Sequence, residues 1–370
     1  MSGTAGGAYN TSGIGIGIGI GIDGAMAHFT LDRPRALNAL DVAMRAAMSA
    51  ALPAFGRDPQ VYALVIRSAS ERAFCAGGDV REILALADAG DLAAARRAFA
   101  EEYAFDWQLE CFAKPTVALI DGMVVGSGVG LTASATHRVG GERYSFAMPE
   151  TMIGLFPDAG VSHALARLPD ETGLYLGLTG RSIGRADAYA LGLLTHCIDA
   201  GEYPAICSGL ADAWPVDPLL DERHRDPGPG DLAPYREIIA TAFAAPTVPE
   251  IMTRLRAVRG AQAAWAGKVA DDLVARSPLS LVVSLRHMRA ARDLDLRGVL
   301  IQDYRLACRF LEGHDFREGV RALLVDKDKT PRWNPARLAD VDPAVVDSYF
   351  AALDPDLALA ERRLMQEATI

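Results

Sequence analysis

The sequence predicts an α/β fold on three grounds. Residues 62–66 and 116–120 are short and wholly apolar or nearly so, as strands covered on both faces are. Each run leads toward a glycine-rich turn, Phe74-Cys75-Ala76-Gly77-Gly78-Asp79 and Gly126-Ser127-Gly128-Val129-Gly130, and each turn leads into a helical pattern. Strand, turn and helix in repeated order place a ligand site at the strand ends, where helix N-termini present free N–H groups.

The elements follow in order. Residues 13–22 alternate five Gly with five Ile. Alternation would put every Ile on one strand face, but Gly weakens strand interiors, so this segment is expected to be frayed or only loosely added at an edge. No Lys-Ser/Thr follows the run, which argues against a phosphate loop. Residues 27–31 are an apolar run ending at Asp32-Arg33-Pro34. Asp41 is a helix N-cap, with Met44, Met48, Leu52 and Phe55 at helical spacing and Pro59 as the break. Asp79 is expected to cap a helix through Leu86. A long helix carrying Phe99, Tyr103, Leu109 and Phe112 runs to Lys114-Pro115. A small-residue helix over 131–135 follows the second turn, and 144–148 is a third strand. From Trp214 the texture changes. Residues 215–234 are rich in Pro, Gly, Asp and Arg and read as a linker or loop. Helical patterns then cover 235–243, 251–259, 262–276, 279–291 and 296–311, with a last helix from Pro343. The organisation is therefore a Gly/Ile-rich segment (1–24), a core (25–214), a linker (215–234) and a helical C-terminal region (235–370).

The chain has 370 residues, half of them apolar, and a formal net charge of −10. That balance argues against a nucleic-acid-binding protein, which needs a basic face. No apolar run approaches the roughly 20 residues of a membrane helix. Five scattered cysteines form no C-x-x-C, so neither a metal site nor a disulfide framework is expected, and a reducing compartment is. No basic n-region precedes the Gly/Ile run, and a cytoplasmic location is the expectation.

The chemistry is carried by the two turns and by a carboxylate pair eight residues apart, Glu150 in Met148-Pro149-Glu150 and Asp158 in Phe156-Pro157-Asp158. If the turns converge, the Gly78 and Ser127 N–H groups can hold one carbonyl oxygen as an oxyanion hole, and Gly77 and Gly126 let the backbone approach a ligand. Glu150 sits among apolar neighbours, and burial raises a carboxyl pKa toward the range useful for acid/base work. The same residues also fit plainer roles: glycines mark turns, Glu150 can serve a helix start, and Pro-Asp-Ala-Gly is a turn signature. Other mechanisms find less support. There is no G-x-S-x-G, no H-E-x-x-H and no G-x-G-x-x-G with its distant acidic partner.

Residues 27–200 resemble the crotonase (enoyl-CoA hydratase/isomerase) superfamily. The resemblance is carried by Asp32-Arg33-Pro34-Arg35-Ala36-Leu37-Asn38-Ala39-Leu40, by Ala73 through Asp79, and by Lys114-Pro115-Thr116-Val117-Ala118-Leu119-Ile120-Asp121-Gly122. It implies a crotonase-like spiral of ββα turns with a helical C-terminal region that closes over CoA and supports a homo-oligomer, whether trimer, hexamer or dimer. It also implies oxyanion donors at Gly78 and Ser127. Within the superfamily the chain is most similar to the thioester-hydrolase branch. That likeness rests on residues 146–160, on Glu101-Glu102-Tyr103, and on the tail segments 316–324 and 329–335.

The resemblance implies hydrolysis of an acyl-CoA thioester, with 3-hydroxyisobutyryl-CoA of valine catabolism as the expected substrate. Glu150 and Asp158 would be catalytic, and Glu102 would bind the 3-hydroxyl. No cofactor is expected beyond the CoA that the substrate itself carries. The CoA phosphates need local cations in an acidic chain, and Arg33, Arg35, Lys327 and Lys329 are the candidates. Two departures stand out. Hydratases carry a second catalytic Glu at the position of Gly130, and the hydrolase pattern has Gly where this chain has Ser127. An enoyl-CoA hydratase or isomerase working through Glu150 alone, and a CoA-ester-binding protein without turnover, remain the alternatives.

Overall fold

The computed structural model describes residues 11–12 and 16–367. The strands are β1 (Thr11–Ser12), β2 (Ile18–Asp23), β3 (Met26–Leu31), β4 (Ala63–Ser68), β5 (Ala73–Cys75), β6 (Thr116–Ile120), β7 (Met123–Val125), β8 (His137–Gly140), β9 (Ser145–Ala147), β10 (Ile183–Gly184) and β11 (His196–Cys197). They form two sheets. The larger has the order β1-β2-β3-β4-β6-β8-β11 and the smaller the order β10-β9-β7-β5. From β3 to β11 the larger sheet is parallel, as is the smaller from β5 to β9.

The repeat unit is therefore richer than strand, turn and helix. β4, β6 and β8 lie in the large sheet, and each is followed by a strand of the small sheet, β5, β7 or β9. Only then comes the glycine or proline turn and a helical segment. This is the ββα spiral. The interposed strands are three residues long, too short for an alternating pattern to register. The segment 144–148, expected as a third strand like the others, is β9 of the second sheet.

The large sheet is buried on both faces, which is why its central strands are apolar throughout. Leu64, Ile66, Ala118 and Ile120 face the main core. Ala63, Val65, Val117 and Leu119 face a second core. That second core includes Leu219 and Leu220 from a helix at Val216–Asp221. The start of the expected linker is thus a structural cover for the sheet. The rest is tied down by Asp187, whose carboxylate accepts the Asp231 and Leu232 N–H groups.

The Gly/Ile run is corrected in the same way. Residues 1–10 and 13–15 of the expected N-terminal segment lie outside the described residues. From Ile18 to Asp23 the chain is a strand paired along its full length with β3, and at Gly19 and Ile20 also with β1. Ile18, Ile20 and Ile22 all pack on the main core, so two-sided pairing and one apolar face outweigh the cost of the intervening glycines.

Four helices position the site: α1 (Val42–Arg57), α2 (Val80–Asp88), α3 (Leu92–Cys111) and α4 (Ser127–Ala133). Asp41 caps α1 by accepting the Met44 N–H at 2.8 Å. Asp79 flanks α2 but makes no side-chain cap; its carboxylate is engaged by Arg33 at 2.9 Å instead. The helix of the second turn starts at Ser127, four residues before the expected 131, because Gly126 alone completes the turn. The C-terminal region is helical, and its Leu296–Glu312 helix packs along α3.

Candidate active site

The two glycine turns meet over a cleft of about 220 Å³. Gly77, at the end of β5, has φ +91°, and a Cβ there would lie 3.7 Å from the Ser127 nitrogen. Gly126, after β7, has φ 54° and ψ −131°, a conformation essentially closed to residues with a Cβ. Its hydrogens also face Glu150, whose Oε1 would be 2.9 Å from a Cβ at that position. Glycine suits both places because each has positive φ, and at 126 also because a Cβ would crowd the carboxylate. Gly78, Ser127, Glu150, Asp158 and Glu102 all line the cleft. Ser127 is the first residue of α4, where a backbone N–H has no partner within the helix.

Glu150 opens a tight helical turn after Pro149 and is almost wholly buried. Its Oε2 has no hydrogen-bond partner among the described residues. Burial pushes its pKa up to about 8. Asp158 is buried too, and its Oδ2 accepts the Tyr103 hydroxyl at 2.8 Å. Burial first, then the nearby charges of Glu102, Glu150 and Asp303, hold its pKa well above the carboxylate range. Ala159 and Gly160, which follow Asp158, both have positive φ. Asp303 holds this bend by accepting the Gly160 N–H at 2.8 Å, and itself sits 2.7 Å from His287.

α3 presents Glu102 to the cleft and, one turn on, carries the buried Asp106. Glu102 Oε2 is 3.2 Å from the guanidinium of Arg45 on α1. Asp106 Oδ2 is buried with no hydrogen-bond partner among the described residues, and burial drives its pKa well upward. Arg45, Asp106, His287 and Asp303 are not singled out by the sequence, and Tyr103 enters it only as a helix position and a member of a motif. One signal was available: Glu102 and Asp106 are four residues apart on the same stripe as Phe99 and Tyr103, which puts two carboxyls on a core-facing surface.

The four expected CoA cations differ in their surroundings. Arg33 is half-buried and turned into the fold, donating to Asp79 and the Ala39 carbonyl and lying 3.5 Å from Asp41. Arg35, Lys327 and Lys329 are exposed. Lys327 and Lys329 both have positive φ, on a loop just past the cleft residues Leu323 and Leu324. The Lys329 N–H bonds back to the Ala322 carbonyl.

Position 130 separates two chemistries. A Cβ on Gly130 would lie 2.7 Å from the Ala159 Cβ and 2.8 Å from its carbonyl oxygen. A side chain there would force the Ala159 backbone to shift, so position 130 does not take a carboxylate without rearrangement.

The fold and the cleft define an acyl-CoA enzyme class, and the comparisons agree. Residues 26–350 match the enoyl-CoA hydratase/isomerase family model, and the chain belongs to that family. Among its relatives, the mitochondrial 3-hydroxyisobutyryl-CoA hydrolase of Xenopus tropicalis is 38% identical over 91% of this chain and 89% of its own length. The 3-hydroxyisobutyryl-CoA hydrolase 1 of Arabidopsis thaliana is 37% identical over 90% of this chain and 91% of its own. Among solved structures, a carnitinyl-CoA dehydratase from Mycobacterium thermoresistibile superposes with TM-score 0.87 at 37% identity, covering 92% of this chain and 98% of that one. An enoyl-CoA hydratase from Rhodobacter sphaeroides gives 0.85 at 36%, covering 93% and 100%. The expectation of a cytoplasmic location is overturned by these names: the Xenopus relative and its Danio rerio counterpart are both called mitochondrial.

Two outcomes are expected from the site's packing and charge. Gly130→Glu should lower stability by about 3 kcal/mol through overpacking against Ala159, read by urea denaturation, and bring no crotonyl-CoA hydration. Glu150→Gln should become more stable than the parent as pH rises. In the unfolded chain Glu150 ionises near pH 4.5, in the fold near pH 8, so its burial costs nothing below the first value and most above the second. Melting temperatures of the two proteins should converge toward pH 4.5 and separate up to about pH 8; a constant gap would contradict this.

Proposed function

We propose that the chain is an acyl-CoA thioester hydrolase, cleaving 3-hydroxyisobutyryl-CoA to 3-hydroxyisobutyrate and CoA as a step of valine catabolism. The observation that carries this reading is the buried carboxylate of Glu150 set against two converging N–H turns, with position 130 of α4 too crowded for a further carboxylate. Hydration needs proton traffic at both the α- and β-carbons. Hydrolysis needs water at one carbonyl carbon and donors for one oxyanion. The names of the full-length hydrolase relatives support the same choice.

In this reading the Gly78 and Ser127 N–H groups hold the thioester oxygen. Ionised Glu150 takes a proton from water while the water oxygen bonds to the carbonyl carbon. The tetrahedral oxyanion collapses, the C–S bond breaks, and the protonated Glu150 returns the proton to the departing sulfur. The alternative is direct attack by Glu150 to give an anhydride that water then opens. Asp158, held by Tyr103, positions the water or the acyl group. Arg35, Lys327 and Lys329 are the cations left exposed for the CoA phosphates, and CoA enters as part of the substrate with no further cofactor invoked.

A second reading, a hydratase, is favoured by the names of the two superposed structures. Thiol release from 3-hydroxyisobutyryl-CoA and loss of enoyl absorbance from crotonyl-CoA, followed separately, decide between them. Efficient hydration without thiol release would remove the hydrolase reading.

Glu150→Gln should abolish most turnover. In the parent, kcat/KM should rise with pH through about 8, because the base must be ionised. A pH-independent rate, or a variant within about threefold of the parent, would exclude Glu150 as base or nucleophile. Lys327→Ala and Lys329→Ala should weaken CoA-ester binding at low salt, and the difference should shrink at high salt. Equal affinities at low salt would remove both residues from the CoA site.

A further inference from the structure

Arg45 and Glu102 form a buried ion pair in which each partner has one polar atom left over. Arg45 is 3% exposed. Its Nη1 donates to the Leu40 carbonyl at 3.0 Å and lies 3.2 Å from Glu102 Oε2. Its Nη2, and Glu102 Oε1, are buried with no hydrogen-bond partner among the described residues. Both side chains border Gly78. A Cβ built there would lie 3.3 Å from Arg45 Nη1, 3.8 Å from Glu102 Oε1 and 3.1 Å from Ser127 Oγ. The pair thus stands beside the donor turn, with Glu102 lining the cleft.

An orphaned guanidinium N–H and an orphaned carboxylate oxygen, both out of water, are costly to leave unpaired. Together they match one functional group. A hydroxyl has one O–H to give and lone pairs to accept. We propose that Arg45 is a specificity-determining residue: a hydroxyl on the substrate acyl chain donates to Glu102 Oε1 and accepts from Arg45 Nη2. A methyl group in that place leaves both atoms unmet, and a carbonyl sets its lone pairs against the carboxylate. Arg45 has a second, positioning role. The Leu40 carbonyl it binds also accepts the Asp79 N–H at 2.9 Å, and the Leu40 N–H donates to the Gly77 carbonyl at 2.8 Å. The residue that reads the hydroxyl therefore also braces the turn that carries Gly78.

This inference rests on the hydrolase reading for its substrate, and the test separates the two. Thiol release by the parent chain examines the reaction. Affinity, free of turnover, examines Arg45: dissociation constants for 3-hydroxyisobutyryl-CoA and isobutyryl-CoA are measured by calorimetry on the Glu150→Gln protein, with Arg45 intact, Arg45→Met or Arg45→Lys. With Arg45 intact the hydroxy ester should bind about tenfold or more tightly, because the site's buried polar atoms reject the unsubstituted chain. Arg45→Met should bring the preference to about threefold or less, with the loss falling on the hydroxy ester. Arg45→Lys offers one ammonium where a fork served three acceptors, and should cut the preference at least about threefold. It decides the matter should the Met variant not fold. A preference undiminished in Arg45→Lys, or absent with Arg45 intact, overturns the proposal. A preference that behaves as expected in a parent releasing no thiol would leave the recognition role standing and remove the hydrolase.

Discussion

The close approach of two backbone turns is the constraint on which the site depends. β5 and β7 are neighbours in the small sheet, so the turns that leave them emerge side by side. Gly77 and Gly126 both take positive φ, the second in a conformation that other residues do not hold, and a Cβ on Gly126 would press on Glu150. Where the turns meet, Gly78 and Ser127 face one space, and Glu150, from the next step of the spiral, fits against Gly126. The ββα repeat thus delivers one component of the site per step.

The cleft is built against the electrostatic grain. Glu102, Asp106, Glu150, Asp158 and Asp303 are all buried, and Arg45 and His287 are the cationic or titratable bases that the ion pairs place against them. Desolvation is the largest cause of the raised pKa at Asp106, Glu150, Asp158 and Asp303 alike. A carboxyl held near neutrality in this way is a better general base than an exposed one, and it is less favourable for folding. The extensive cores on both faces of the large sheet are the counterweight.

The parts legible in the sequence share one property: their meaning is local. A glycine turn after an apolar run, a Pro-Glu in apolar company and an Asp41 cap are read from neighbours within a few residues. Glu102 became legible through its motif. The remaining residues are defined by partners far along the chain. Tyr103 meets Asp158, Arg45 meets Glu102, and Asp303 meets Gly160, each pair 55 or more residues apart. Nothing near Arg45 in sequence distinguishes it from a surface arginine; burial and its acidic partner arrive with α3. The strands β5, β7 and β8 failed for the opposite reason, being too short to carry a pattern. Ile18–Asp23 was read against order because glycine's local cost is visible and the pairing of β2 with β3 is not.

Spreading the cleft over every step of the spiral ties occupancy to the integrity of the whole chain. Its walls come from Gly78, Glu102, Ser127, Glu150 and Leu323, so three steps of the spiral and a piece of the C-terminal region must all be in place to complete it. A chain in which any of these steps is unfolded lacks part of the cleft wall. Ligand binding is then linked to global folding, and substrate at about a hundred times its dissociation constant adds about 2.7 kcal/mol to the stability of every element at once. A metabolite that accumulates would in this way lengthen the lifetime of the chain that removes it.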